Sequence, residues 1–479
     1  MVDKDLLSMQ EARSLVRAAK KAQADFCEYD QQRVDSIVKA IATSAAASAE
    51  SLARLAVEET GFGVVRDKKA KNILASETLY DAIKDMKTIG VLSDDKVKKL
   101  VEIAAPMGVI AGIIPSTNPT STAIYKSIIA LKAGNAIVFT PHPSAKKCIG
   151  ETVDMIRKVL VNCGVSEDMV SVMSVPTIQG SEELMKVADL ILATGGPGMV
   201  KAAYSSGTPA LGVGAGNVPA YIERSANIED AVAKIFMSKT FDNGTVCASE
   251  QSIITDSCIA DKVKACIINN GGYFLQGEDL VKVKRIMERG NGSMNPDIVG
   301  KDAAHIARLA GINIPADTRL LVSDEKGIGP KYPFSKEKLT ALIAFYIVED
   351  WRESCEICHA LLQNGGVGHS LAIHSGNEEI IREFGMKKPV SRMLVNTPAT
   401  HGAVGISTAL FPSFTLGCGT LGGSSTSDNV TPLNLMNIRR IAYDSGNVSA
   451  QPAPAQAEAT TIDIDAITKI IVQQLKSMA

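Results

Sequence analysis

Cys247 is the residue of this chain best suited by its surroundings to act as a nucleophile. It lies in Thr240–Gln251 (TFDNGTVCASEQ), among small and polar residues, with Gly244 three positions before it. No second cysteine and no histidine stands close enough in sequence to form a metal site with it. A thiol framed this way suits attack on an electrophilic carbon. The small neighbours leave room for substrate, and Gly244 lets the backbone turn closely around it. When a carbonyl adduct forms, the cysteine's own backbone N–H can point at the developing oxyanion. A free cysteine is more often a buried, inert residue, so the rest of the sequence has to decide between these readings.

The 479 residues are enough for roughly three domains. With 46% apolar and 21% charged residues the composition is that of an ordinary globular enzyme. A net charge of −2 gives no electrostatic reason to expect nucleic acid or an anionic membrane as a partner. Nine scattered cysteines, an odd number, argue for reduced thiols in a cytoplasm and against a disulfide framework. The N-terminal residues Met1–Asp5 carry no apolar signal core. The longest apolar run, near Ala104–Pro115, is too short to span a bilayer.

The elements that must position Cys247 follow from periodicity. Residues 1–90 have apolar positions at three- and four-residue spacing and read as helices. Lys96–Ile103 reads as a strand, and Pro106–Pro115 as a buried strand. An alternation follows. Strands are expected at Ala136–Thr140, Val170–Val175, Leu190–Ala193 and Ala210–Val213, with helices at Ser144–Asn162, Ser181–Val187 and Pro197–Ser205. Such repeats imply a doubly wound parallel sheet, with ligands beyond the strand C-termini. The loops there, Thr140–Pro143 and Thr194–Pro197, both open helices, so both could offer amides to phosphate. A helix from Ile228 leads into the Cys247 segment. A second α/β region, including the apolar strand Ala341–Val348, continues to about residue 425. Leu433–Tyr443 is a possible returning strand.

Two motifs carry little weight. Gly212–Gly216 (GVGAG) looks like a dinucleotide fingerprint, but a strand rather than a helix is expected after it, at Val218–Ile222. Cys355–His359 (CEICH) matches a haem-attachment pattern but falls in the predicted helix Trp351–Leu362. After this, Ser445–Thr460 is small, polar and proline-containing, as in a flexible linker. In Thr461–Ala479, Ile464, Ile467, Ile471, Leu475 and Met478 recur at helical spacing. This predicts a detached amphipathic helix of the kind that docks on a partner.

Several long segments together resemble the aldehyde dehydrogenase superfamily and, within it, the coenzyme A-acylating enzymes. They are IIPSTNPTST (Ile113–Thr122), TPHPSAKK (Thr140–Lys147), the run Ala193–Pro219, FDNGTVCASEQ (Phe241–Gln251), EKLT (Glu337–Thr340) and Ser413–Ala442. The likeness covers about residues 1–447. It implies Cys247 as nucleophile and Asn118 as oxyanion donor. It also implies cofactor contacts from Thr140, Pro141, His142, Thr194, Gly195, Gly196 and Glu337, and no metal. The implied fold is α/β, with two doubly wound parallel-sheet domains and small oligomerisation strands. The expected boundaries are 1–95 and 106–227 for the NAD-binding domain and 228–425 for the catalytic domain. Oligomerisation strands are expected at 96–105 and 426–447, a linker at 448–460 and a tail helix at 461–479.

Two departures refine the resemblance. Hydrolytic relatives carry a glutamate base at the position aligned with Val213. Valine cannot accept a proton, and losing base assistance costs ~10²–10⁴-fold. The Cys247 thioester is therefore expected to await coenzyme A, giving an acyl-CoA reversibly. The segment Thr140–Ser144 also lacks the lysine that would meet a 2′-phosphate, which favours NAD over NADP; His142 either touches a phosphate or caps a helix. The tail resembles the encapsulation peptides of bacterial microcompartments. It implies a shell protein as partner, the lumen of a compartment in a bacterial cytoplasm as location, and propanal or acetaldehyde as substrate. A homodimer or homotetramer is implied by resemblance alone. A reductase of another activated acyl group, such as an acyl phosphate, and a cargo adaptor acting through its tail remain open alternatives at this point.

Overall fold

The computed structural model describes residues 3–290, 292–444 and 464–477. The expected linker at 448–460 lies outside them. The chain divides into a main unit, residues 1–90 and 104–438, and a second unit, residues 91–103 and 439–479.

The main unit is built on two sheets. The five-stranded sheet runs Val170–Val172, Ala136–Pro141, Val109–Ile114, Leu190–Thr194, Ala210–Val213, each strand parallel to its neighbours. Its central strands read VIAGII and AIVFTP without polar alternation because they are buried throughout. Helix Lys4–Phe26 turns one stripe inward (Ala12, Val16, Ala19, Phe26) and packs on helix Ile178–Val187 and on strand Ala136–Pro141. The strand order reverses between Val109–Ile114 and Leu190–Thr194. In a doubly wound sheet the crevice for a ligand opens at such a switch point, beyond the strand C-termini. Here the residues at that crevice are those following Ile114 and Thr194.

The seven-stranded sheet runs Gly272–Phe274, Leu320–Asp324, Leu342–Val348, Glu250–Asp256, Val218–Ile222, Gly368–His374, Val390–Val395, again all parallel. Val218–Ile222 therefore belongs to this second sheet, and the boundary expected after residue 227 falls before Val218. Strand Glu250–Asp256 lies at its centre and is wholly buried. The Cys247 turn leads directly into it.

Other expectations also shift. Lys96–Ile103 is not one strand: Lys96–Lys99 is a turn between strands Gly90–Asp95 and Leu100–Pro106, with Lys99 at φ 50°. Residues 91–95, expected in the cofactor domain, fall in the second unit. The buried strand starts at Val109, because Gly108 (φ 121°) turns the chain and the Asn135 side-chain Oδ1 accepts from the Met107 and Gly108 N–H groups. The stretch expected at 426–447 splits. Val430 and Leu435 are buried in the core of the five-stranded sheet, Pro432–Leu435 is a 3₁₀ turn, and only Met436–Ala442 is a strand.

In the second unit, strand residues around Glu102 and Arg440 are joined by an ion pair of 3.0 Å, and Val91, Val97, Ile441 and Tyr443 are exposed. Helix Ile464–Lys476 has every residue exposed, its isoleucines included. Among the described residues no helix is long and apolar enough to cross a membrane.

Candidate active site

A cleft of about 670 Å³ opens at the switch point of the five-stranded sheet. Ile113–Asn118, Thr140–Pro143 and Thr194–Pro197 line one wall; Gly214, Ala215, Thr245, Cys247, Glu337 and Leu339 line the other. All nine residues expected from sequence meet on it: Cys247, Asn118, Thr140, Pro141, His142, Thr194, Gly195, Gly196 and Glu337.

Cys247 reaches the cleft on an unusual backbone. Asp242, Asn243 and Gly244 have φ of 50°, 52° and 76° in succession. Two consecutive non-glycine residues in the left-handed region carry a cost of order 1–3 kcal/mol each. The Asp242 carboxylate offsets it by accepting from Val64 N–H (2.7 Å), Lys68 Nζ (3.0 Å), Lys71 Nζ (2.5 Å) and Thr245 Oγ1 (2.6 Å). Burial alone would raise this carboxyl, but the two ammonium groups hold it below its usual range. Gly244 can have no side chain, since a Cβ would lie 2.9 Å from the Thr340 carbonyl oxygen. The segment is thus a rigid bracket holding a half-buried thiol at the cleft wall. Burial, then Glu337, pushes that thiol up to about 12, so it is protonated in the unliganded protein.

Asn118 ends the loop after strand Val109–Ile114. Its Oδ1 accepts from Lys71 Nζ (2.6 Å), and its Nδ2 donates to the Thr245 carbonyl (2.9 Å), two residues from Cys247. On the other side of Cys247, Glu337 accepts the Gly216 N–H (3.0 Å), and burial raises it to about 7.

Sequence reading missed His369. It is wholly buried, and burial followed by Arg392 lowers it to about 3, so the imidazole is neutral. Its Nδ1 contacts Ser370 Oγ (3.0 Å), and its Nε2 has no hydrogen-bond partner among the described residues. A Cβ on Gly216 would meet both His369 Nδ1 and the Cys247 carbonyl, which places the histidine beside the cysteine turn. At 122 positions from Cys247, it gives no local sequence signal.

The two helix starts are not equivalent. Glu59 already accepts the Lys147 and Cys148 N–H groups (2.7 Å each), so helix Lys146–Asn162 does not offer these amides to a phosphate. The expectation that both helices do so is corrected. Helix Pro197–Ser205 keeps an open start, because added Cβ atoms at Gly196 or Gly198 would meet nothing within 4 Å. His142 is exposed, and its Nδ1 accepts the Ser144 N–H (3.2 Å), a capping role. Val213 packs in the second core, and only Gly214 and Ala215 of that loop line the cleft. Cys355 and Cys358 are buried on helix Trp351–Gln363. Among the described residues no cluster of three or more His, Cys, Asp or Glu side chains could hold a metal ion.

The family model described as the aldehyde dehydrogenase family matches residues 5–270. The chain belongs to this family. It is 44% identical over 448 residues to the bifunctional aldehyde-alcohol dehydrogenase AdhE of Escherichia coli K12, covering 92% of this chain and 50% of that protein. It thus spans about half the length of the first curated relatives it matches. An acetylating aldehyde dehydrogenase from Geobacillus thermoglucosidasius is 48% identical with a TM-score of 0.92, covering 95% of this chain and 100% of that one. A propionaldehyde dehydrogenase from the fucose-utilisation microcompartment of Clostridium phytofermentans is 28% identical with a TM-score of 0.83, covering 91% and 97%. A propionaldehyde dehydrogenase of Rhodopseudomonas palustris, solved with coenzyme A and an acylated cysteine, is 26% identical with a TM-score of 0.82, covering 91% and 97%. As an aldehyde dehydrogenase the chain falls in the acylating branch.

Proposed function

We propose that this enzyme oxidises a small aldehyde to its acyl-CoA through a thioester on Cys247. The observation that carries the reading is the shared cleft: a cysteine, an amide donor and an open helix start lie on it, while Val213 supplies no base. The start of helix Pro197–Ser205 fits a dinucleotide pyrophosphate, since Gly196 and Gly198 let the phosphates approach the backbone. NAD, when bound, accepts the hydride. Glu337 would hold the adjoining ribose, and Thr140, Pro141, His142, Thr194 and Gly195 would shape the rest of the cofactor wall.

In the first step the Cys247 thiol gives up its proton to solvent in the cleft, and the thiolate adds to the aldehyde carbon. The oxyanion lies against the Cys247 N–H and the second Nδ2 proton of Asn118. Collapse of that oxyanion expels hydride and leaves the thioester. The thiolate of coenzyme A then adds to the same carbon, with the same donors holding the oxyanion, and Cys247 leaves as thiolate. The coenzyme A thiol loses its proton to solvent before it adds, since His369, wholly buried and lowered to about 3, is too weak a base to take it. The small residues beside Cys247 fit propanal or acetaldehyde. Purified protein with propanal and NAD should sustain NADH formation only when coenzyme A is present. Equal turnover without it overturns the acylating reading. Cys247→Ala should lose turnover and keep its melting temperature.

The tail supports a second element of the proposal. Helix Ile464–Lys476 exposes Ile464, Ile467, Ile471 and Leu475, an apolar stripe that needs a partner. With a microcompartment enzyme among the relatives, the partner we assign is a shell protein. Deleting residues 448–479 should leave activity intact and abolish co-sedimentation with shells. Retained co-sedimentation refutes it.

A further inference from the structure

The site contains a buried cation that the reaction as described does not use. Lys71 is 3% exposed on helix Val65–Ile73. An ammonium has three protons and no acceptor, and each proton of Lys71 has a partner in the catalytic bracket. They are Asp242 Oδ2 at 2.5 Å, Asn118 Oδ1 at 2.6 Å and Thr245 Oγ1 at 3.2 Å. A brace between the helix and the Cys247 turn would need only the first of these. Lys68 reaches the same Asp242 oxygen (3.0 Å) and the Thr117 carbonyl (2.9 Å). Asp67, the nearest other carboxylate, is occupied by the Asp242 N–H and by Arg66. Asp242 and Asp67 together balance the two ammonium groups, and each lysine turns a remaining proton to the oxyanion loop, Lys68 to the Thr117 carbonyl and Lys71 to Asn118 Oδ1.

We propose that Lys71 is a positioning residue for the oxyanion donor: it fixes the Asn118 amide in one orientation and polarises it toward the substrate. This rests on the reading of Asn118 as that donor. The orientation follows from chemistry. A flipped amide would set NH₂ against an ammonium and Oδ1 against the Thr245 carbonyl oxygen. With Oδ1 held by a cation, the Nδ2 protons carry more positive charge, and charge-assisted bonds are roughly twice as strong as neutral ones. One Nδ2 proton is held by Thr245. The other makes only a 3.3 Å contact with Thr117 Oγ1, and it is the proton free to turn to the oxyanion.

The test is a double-mutant cycle on the full chain, reading kcat, aldehyde KM and single-turnover NADH formation. Asn118→Ala should lower kcat by ~10²–10³-fold. Lys71→Met should lower it by on the order of tenfold with little change in KM, and should have little further effect once Asn118 is alanine. Lys71→Arg, which keeps the charge, should recover most of the loss. If Lys71→Met melts below the assay temperature, Lys71→Gln, which keeps a donor without the charge, takes its place in the cycle. Equal, additive losses in both backgrounds would show a general disturbance of the Cys247 turn and overturn the proposal alone. An unimpaired Asn118→Ala would remove the oxyanion reading, and this inference with it.

Discussion

Gly216→Ala tests whether the Cys247 turn is held as rigidly as its geometry implies. The added Cβ would lie 2.1 Å from the Cys247 carbonyl oxygen and 3.1 Å from both its carbonyl carbon and His369 Nδ1. Contact is ordinary only from 3.4 Å, so the methyl group is about 1.3 Å too close to a backbone atom. Gly216 cannot retreat easily. Its N–H is bound to Glu337, and the next residue, Asn217, is pinned by its Nδ2 to the Ser335 and Leu361 carbonyls (2.8 Å each). The Cys247 turn must move instead, against the Asp242 bracket. Overpacking of this kind costs ~1–3 kcal/mol, and a displacement near 1 Å at a reacting group costs ~10²-fold in rate. Steady-state NADH formation with aldehyde, NAD and coenzyme A reads the rate, and thermal melting reads the stability. A kcat within twofold of the parent, at unchanged stability, would refute the view that Gly216 and Cys247 form one packed unit.

Three further outcomes are expected. Gly150→Ala makes the same chemical change on helix Lys146–Asn162, where a Cβ meets nothing within 4 Å; it should stabilise by ~0.4–1 kcal/mol, and a lowered melting temperature would contradict this. Alkylation of Cys247 in the unliganded protein, followed by peptide mapping, should rise with pH without levelling off near neutrality, because burial holds the thiol up to about 12; a plateau near pH 7 contradicts it. His374, buried with both ring nitrogens unpartnered among the described residues, is lowered to about 4 by burial. Its folded pKa lies below its unfolded value of about 6.5, so the unfolded chain takes up a proton the fold refuses, and stability is lost as pH falls from about 6.5 toward 4. His374→Gln should therefore flatten the acid side of the melting profile, and an unchanged slope refutes the assignment.

How much of this was legible in the sequence follows from what each element buries. The strands Val109–Ile114, Ala136–Pro141 and Leu190–Thr194 were readable because both faces are covered, which leaves short unbroken apolar runs between turn residues. Which sheet a strand joins was not. Ala210–Val213 and Val218–Ile222 are both short, apolar and parallel, yet the chain changes sheets in the few residues between them. The helix starts looked equivalent because Glu59, which closes one, sits 88 residues before Lys147. The largest blind spot was Arg66–Lys71 (RDKKAK). Its composition is that of a solvated helix face, whereas Lys68 and Lys71 are each 3% exposed. Their partner Asp242 lies more than 170 residues away, so nothing local signals the burial.

That hidden cluster gives Cys247 two unlike sides, and the difference bears on the proposed reaction. On the Asn118 side, where both oxyanions would form, Lys71 and Lys68 hold the Asn118 Oδ1 and the Thr117 carbonyl. On the Gly216 side the groups are held near neutrality, Glu337 raised to about 7 and His369 lowered to about 3. A fully ionised carboxylate there would repel the thiolate of coenzyme A and could serve a water molecule as base. Burial lessens the first effect, but the Gly216 N–H engages only Oε1, so a Glu337 raised to about 7 keeps the acceptor capacity for the second. In the proposed reaction the missing carboxylate at Val213 would protect the thioester from water, and Glu337 is the group through which residual hydrolysis would run. Glu337→Gln, which keeps an acceptor for the Gly216 N–H but removes the base, should therefore lower residual NADH formation without coenzyme A, and an unchanged residual rate would refute this role.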